Sequence, residues 1–163
     1  MDVATDLVAF AWDVTGWNVL LIKRKYPPFE GKWALPGGFV ENDEDLADAA
    51  IRELNEETGV QLKSIYQIGA FGKPDRDPRK RVISVTYCAI LHQLFSTEAG
   101  DDAAESIWHP IDNLPSLAFD HDAILRIALK KMQDMYTLKK HLPSSGPLPE
   151  EAIHAFRGAV LKG

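Results

Sequence analysis

Residues 37–60, GGFVENDEDLADAAIRELNEETGV, constrain the fold more tightly than any other stretch of the chain. A glycine loop runs there into one helix. The helix is expected to begin near Asp43 or Glu44, with Asn42 or Asp43 as its cap. Gly59 closes it as a C′ glycine does. Leu46, Ala47, Ala50 and Leu54 recur at helical spacing and form the stripe that must be buried. At roughly 100° per residue, Glu53 and Glu57 lie about 40° apart, and Glu56 about 60° to the other side of Glu53. All three acids fall in one arc, and Glu57 points almost along the apolar stripe.

A carboxylate aimed that way is unfavourable unless it is paired or binds a metal. Three glutamates in one turn also repel one another, and the helix dipole opposes them near its C-terminal end. Hard divalent cations resolve the conflict. Mg²⁺ takes oxygen ligands and is usually held by a few carboxylates together with substrate phosphates. Gly37 and Gly38, lacking a Cβ, leave the backbone free to turn a carbonyl toward such an ion. The competing reading is a surface helix with an acidic, solvated face.

Spacing separates the two. Gly38, Glu44, Arg52, Glu53, Leu54, Glu56, Glu57, Gly59 and Val60 stand in the pattern of the Nudix box without a mismatch, and the chain resembles a Nudix hydrolase. The preceding Trp33-Ala34-Leu35-Pro36-Gly37-Gly38 resembles the usual lead-in to that box. The resemblance implies an α/β fold, an α/β/α sandwich around a mixed β-sheet. It also implies hydrolysis of a nucleoside diphosphate linked to another moiety. Glu53, Glu56, Glu57 and a carbonyl of Gly37 or Gly38 are then the metal ligands, with Mg²⁺ expected and Mn²⁺ as second choice. Arg52 lies four residues from both Asp48 and Glu56 and orients the acids. Glu44, the earlier box acid, is assigned to the substrate side, assisting the loop or the metal shell. Glu53 and the later Glu105 both stand as the base.

The rest of the chain sets the context. Its 163 residues fit one domain with a real core: residues 1–140, followed by a connector and short helix over 141–163 that is not a separate domain. A net charge of −6 argues against a nucleic-acid surface and requires local cations for an anionic substrate. The single cysteine, Cys88, cannot form an internal disulfide, which fits a reducing cytoplasm. The N-terminus carries Asp2 and Asp6 rather than a basic start, so no signal peptide is expected, and no apolar run is long enough to span a membrane.

Taken in order, residues 3–14 and 19–25 read as a hairpin turning at 15–18, and residues 32–35 as a short strand. Trp33 reads as a core residue before a base-stacking one. Residues 64–71 and 82–91 read as strands flanking a loop with five cations, Lys73, Arg76, Arg79, Lys80 and Arg81. That loop is either a solvated hairpin tip or a phosphate-facing surface in which Arg76, Arg79 and Arg81 bind substrate. Its run Pro74-Asp75-Arg76-Asp77-Pro78-Arg79 resembles the ADP-ribose pyrophosphatase-like branch of the family, whose dimeric members can reach such loops across to the neighbouring subunit. A homodimer is the corresponding expectation.

Residues 95–104 form a polar loop and 105–110 a last short strand anchored by Trp108. The region of Gly100 to Glu105 resembles the place where the family takes one more acid; Glu105 is the first candidate, Asp102 the second and Glu98 the third. Residues 122–136 read as a second helix with Asp120 as N-cap. His121 beside that cap reads as structural ahead of catalytic. Residues 142–149, LPSSGPLP, form a flexible connector. Residues 150–162 form a short helix that cannot bury its Ile153, Phe156 and Val160 face alone, so it docks on the domain or a partner, or stays disordered.

The expected reaction is ADP-ribose to AMP and ribose 5-phosphate. Other ADP-sugars, NADH or oxidised nucleoside triphosphates share the chemistry. A different class is the ligand-sensing Nudix domain of a regulator of NAD metabolism. Members of that class carry a winged helix and have often lost box acids, whereas here the box is intact and only about thirty residues follow the second helix, too few for that module.

Overall fold

Alternation along the first strand sends neighbouring side chains to opposite faces of one sheet, and that split organises the molecule. The computed structural model describes residues 1–100, 102–139 and 141–163. In chain order it contains β1 (Asp2–Asp13), β2 (Gly16–Arg24), β3 (Trp33–Ala34), β4 (Gly37–Phe39), α1 (Leu46–Thr58), β5 (Tyr66–Phe71), β6 (Val82–Leu91), β7 (Ala103–Pro110), α2 (His121–Lys139) and α3 (Glu150–Arg157). The sheet runs β3-β2-β1-β6-β5, with β4 also paired to β1 and β7 to β2. β1 and β6 are parallel, from Asp2 opposite Val82 to Ala11 opposite Leu91, while the other strand pairs are antiparallel.

On one face Val8, Phe10, Val19, Leu21, Cys88 and Ile90 pack with Ile124, Leu125 and Ala128 of α2 and Phe156 of α3. On the other, Leu7, Ala9, Leu20 and Tyr87 pack with Ala50 and Leu54 of α1. The result is the expected α/β/α sandwich around a mixed sheet.

The long first hairpin is paired only at its closed end, from Phe10 opposite Val19 to Asp13 opposite Gly16. Further along, β1 exchanges β2 for β4, with Asp6 opposite Gly37 and Thr5 opposite Gly38. The strands part there, and the peptide N–H of Leu7 donates instead to Pro36 O at 2.9 Å. This divergence opens the cleft described below.

Several local expectations are corrected. The glycine stretch is not only a loop, since Gly37–Phe39 is a short strand. α1 starts at Leu46, capped by Asp45, whose carboxylate accepts from the Ala47 N–H. Residues 41–44 are held outside the helix because the Glu41 N–H donates to the Glu44 carboxylate at 3.1 Å. Gly59 does end α1, with φ of 74°. Asp120 stands before α2 and its carbonyl accepts from the Ile124 N–H at 3.1 Å, but its carboxylate turns away to Arg76.

The C-terminal helix docks on its own domain. Phe156 is buried edge-on against Phe10 and Trp17, and Trp17 Nε1 donates to Ala152 O at 2.9 Å. α3 stops at Arg157, so Val160 is exposed and Leu161 is buried in its stead. Leu142, in the connector, is buried in the same core. Lys140, at the expected domain boundary, lies outside the described residues.

Candidate active site

The C-terminal half of α1 carries the acids because helical period and capping bring Glu53, Glu56 and Glu57 to the β4 side of the helix. Glu57 is buried, and its Oε2 accepts a hydrogen bond from the Gly37 N–H at 2.9 Å. Glu53 lies against Gly38; a Cβ there would come within 2.6 Å of Glu53 Oε2 and closer still to Oε1. A Cβ on Gly37 would collide with Thr5 O and reach within 2.7 Å of Asp6 Oδ1. Both glycines are therefore needed for the strand to lie this close to the helix and to β1.

Arg52 ties the acids together. Its Nε and Nη2 donate to Glu44 Oε1 and Oε2 at 2.6 and 2.9 Å, its Nη1 to Glu53 at 2.8 Å and Glu56 at 3.1 Å, and its Nη2 also to Phe39 O at 3.2 Å. Glu44, expected on the substrate side, has both oxygens engaged by this guanidinium, which holds its carboxyl below the ordinary range.

Burial pushes the Glu57 carboxyl up to about 8, with the charges of Glu53 and Asp6 adding to it and the Gly37 N–H opposing. Burial likewise raises Glu53, against the pull of Arg52. Two carboxylates disfavoured as anions in the bare protein are what a cation-binding cleft requires. The donor set is all oxygen, which suits a hard divalent ion. Among the described residues, no three acidic, histidine or cysteine side chains gather closely enough to enclose a cation by themselves.

The polar loop supplies a further wall. The Glu98 N–H donates to Thr58 O at 2.9 Å and the Gly100 N–H to Glu57 O at 3.2 Å, satisfying carbonyls at the end of α1. Gly100 packs directly on Glu56 O, leaving no room for a side chain. The chain then brings Asp102 into a cleft lined by Glu53, Glu56, Glu57 and Gly100. Glu105, the first candidate for the extra acid, is elsewhere: β7 begins at Ala103, and Glu105 pairs across the sheet with Lys23, bonded at 2.9 Å. The second candidate is thus the one beside the box acids. Glu98 contributes its backbone there, and Asp101 lies outside the described residues.

The cationic loop is largely self-neutralised. Arg76 is buried, donating to both Asp120 oxygens at 2.7 and 3.0 Å and standing 3.5 Å from Asp6. Arg79 forks onto Asp77, Lys80 pairs with Asp2, Lys73 with Asp75, and Arg81 donates to Gly72 O. Of the three arginines expected to meet phosphate, Arg76 and Arg79 line a second recess, which meets the acid cleft at Glu57, and Arg81 lines neither.

His121 lines that recess too but is engaged within the fold: its Nδ1 accepts from the Leu35 N–H at 2.9 Å, its Nε2 lies 3.5 Å from Asp6 Oδ1, and burial lowers its pKa. Trp33 packs edge-on against His109 at the border of the α2-side core and is not part of the cleft lining. Sequence reading misses Asp6, Arg24, Phe39 and Phe119, which line the second recess with Gly37, Gly38 and Glu57. No local pattern marks them; strand pairing and the path of the loop before α2 bring them together.

A family model described as NUDIX domain matches residues 4–131. A protein named ADP-ribose pyrophosphatase from Methanocaldococcus jannaschii is 49% identical over 110 residues, covering 67% of this chain and 64% of that protein. A protein named ADPR responsive transcriptional repressor NtrR from Acinetobacter baylyi is 32% identical over 133 residues, covering 79% and 53%. The chain therefore spans less than two thirds of the length of either curated relative. The NUDIX domain of Shewanella oneidensis NrtR, solved in complex with ADP ribose, superposes with a TM-score of 0.75 at 31% identity, covering 80% of this chain and 88% of that one.

Proposed function

The chain belongs to the NUDIX domain family, and on that premise we propose that it is a divalent-metal-dependent pyrophosphohydrolase that converts ADP-ribose to AMP and ribose 5-phosphate. The observation that carries this reading is Glu57, a buried carboxylate held by the Gly37 N–H in a cleft with Glu53, Glu56 and Asp102. Glu53, Glu56, Glu57 and the glycine backbone would hold the ion, Mg²⁺ first and Mn²⁺ as an alternative. When bound, such an ion offsets the diphosphate charge and acidifies the attacking water. Arg52 sets the direction of Glu53 and Glu56 and prevents their mutual repulsion from splaying them. Glu53 is the base candidate that lines the cleft, and Asp102 supplies the acid from the facing wall. ADP-ribose is favoured as substrate by the relative of that name and by the ADP-ribose complex of the neighbouring fold.

The second reading is an ADP-ribose sensor, favoured by the similarity to a repressor. The intact acid set favours turnover. No described helix is long and apolar enough to cross a membrane, and the reading is completed by a cytoplasmic homodimer that uses neither membrane nor nucleic acid, checked by light scattering and fractionation. The deciding experiment incubates the protein with ADP-ribose and Mg²⁺ and separates the products. Equal AMP and ribose 5-phosphate support the hydrolase. Bound but intact ADP-ribose supports the sensor. A panel of other ADP-sugars, NADH and oxidised nucleotides ranks the substrates.

A further inference from the structure

Arg24, at the end of β2, is half-buried and lines the second recess with Gly37, Gly38 and Glu57, the last of which it shares with the acid cleft. Its polar contacts are carbonyls of its own loop: Nε donates to Pro28 O at 2.7 Å and Nη2 to Tyr26 O at 3.5 Å. Its guanidinium lies over the Phe119 ring, 5.0 Å from the centroid. Among the described residues no carboxylate is within ion-pair distance of it. The other arginines of the recess differ, since Arg76 is matched by Asp120 and Asp6 and Arg79 by Asp77. Glu57, Asp77 and Asp102 act on Arg24 only at longer range, so this half-buried guanidinium has no hydrogen-bonded counter-ion and can take an anion.

The mounting is built at some strain. Phe29 and Phe119 are the two non-glycine residues with positive φ, at 61° and 53°, among the described residues, and their rings meet edge-on at 4.8 Å. Such backbone is unfavourable for aromatic residues and recurs where a loop is held for function. Here both strained residues brace one side chain: Phe119 by its ring and Phe29 through the loop whose carbonyls Arg24 grips.

We propose that Arg24 binds the diphosphate of the substrate, and that it does so in place of the paired arginines of the 73–81 loop. The proposal rests on the nucleoside-diphosphate reading of the cleft. A guanidinium fixed by Nε and Nη2 presents its remaining N–H groups with little ordering left to do, which favours charge-assisted bonds to phosphate oxygens.

The test measures ADP binding by calorimetry in the presence of Mg²⁺, because ADP carries the diphosphate and its binding can be read without turnover. Wild type, Arg24→Gln, Arg24→Lys and Arg126→Gln are compared; Arg126 is exposed on α2, outside the cleft, and controls for the change in net charge. Arg24→Gln is expected to weaken ADP by about 10- to 100-fold, Arg24→Lys by less, and Arg126→Gln not at all. With ADP-ribose the same loss should appear in KM, with kcat within a few-fold. If Arg24→Gln does not fold, the Arg24→Lys comparison decides, because it keeps the charge and removes the fork. Equal ADP binding by wild type and the Arg24 variants, tight or absent, overturns the proposal. ADP binding lost on Arg24→Gln while wild type leaves ADP-ribose intact sustains it and overturns only the hydrolase reading.

Discussion

Arg52 grips both carboxylate oxygens of Glu44, Nε to Oε1 at 2.6 Å and Nη2 to Oε2 at 2.9 Å, while its Nη1 reaches Glu53 and Glu56. One planar fork thus fixes the strand-to-helix turn and two acids of the cleft together. A lysine has the charge but not the fork. Arg52→Lys is expected to lower kcat by about 10-fold or more while the fold persists. Steady-state kinetics alongside a thermal melt check this; a purely electrostatic role for Arg52 would leave the lysine variant near wild type.

The two glycines should fail differently. A methyl on Gly38 meets the end of the Glu53 side chain, which can swing aside, whereas a methyl on Gly37 meets backbone at Thr5 O. Gly38→Ala should fold and lose metal affinity and activity by about 100-fold, because Glu53 is displaced. Gly37→Ala should lose stability by about 2 kcal/mol or more. Metal titration and denaturant unfolding on both variants separate these outcomes.

Stability of the metal-free protein should depend on pH through Glu57. Its folded carboxyl titrates at about 8, against an ordinary 4.5. The folded state therefore holds a proton that the unfolded state has lost, so this group's stabilisation fades as pH rises from about 4.5 to 8. His121 acts in the opposite sense below its ordinary 6.5, since burial keeps it neutral in the fold. The difference in melting temperature between wild type and Glu57→Gln, in chelator, isolates the Glu57 part. Wild type should lose ground to the variant as pH rises, and added Mg²⁺ should reverse the trend.

His121 should matter for stability rather than for chemistry. Replacing it with phenylalanine leaves the buried Leu35 N–H without its acceptor and should cost about 1–3 kcal/mol. His121→Asn, which offers an acceptor, should lose less. Denaturant melts of the two variants check the order.

How far the sequence can be read depends on range. The acids of α1 are set by a local period, so helical spacing alone places Glu53, Glu56 and Glu57 on one arc. Gly37–Phe39 has no strand propensity of its own; its pairing with Thr5 and Asp6 is made by partners some thirty residues away in the chain. Resemblance to the family puts Glu105 ahead of Asp102, and the cleft reverses that order because the start of β7 at Ala103 depends on its register with β2. Arg76 reads as free in the sequence because Asp120 and Asp6 are distant along the chain. Arg24 carries no signal for the same reason, its significance arising from Phe119.

Above all, Glu57 is proposed to hold a catalytic divalent ion against the glycine strand. Mn²⁺ binding followed by electron paramagnetic resonance, with ADP-ribose turnover measured on the same samples of wild type and Glu57→Gln, tests it most directly. The variant is expected to keep its fold, lose most Mn²⁺ affinity and fall by about 100-fold or more in kcat. A variant that binds Mn²⁺ and turns over ADP-ribose as wild type does would contradict it.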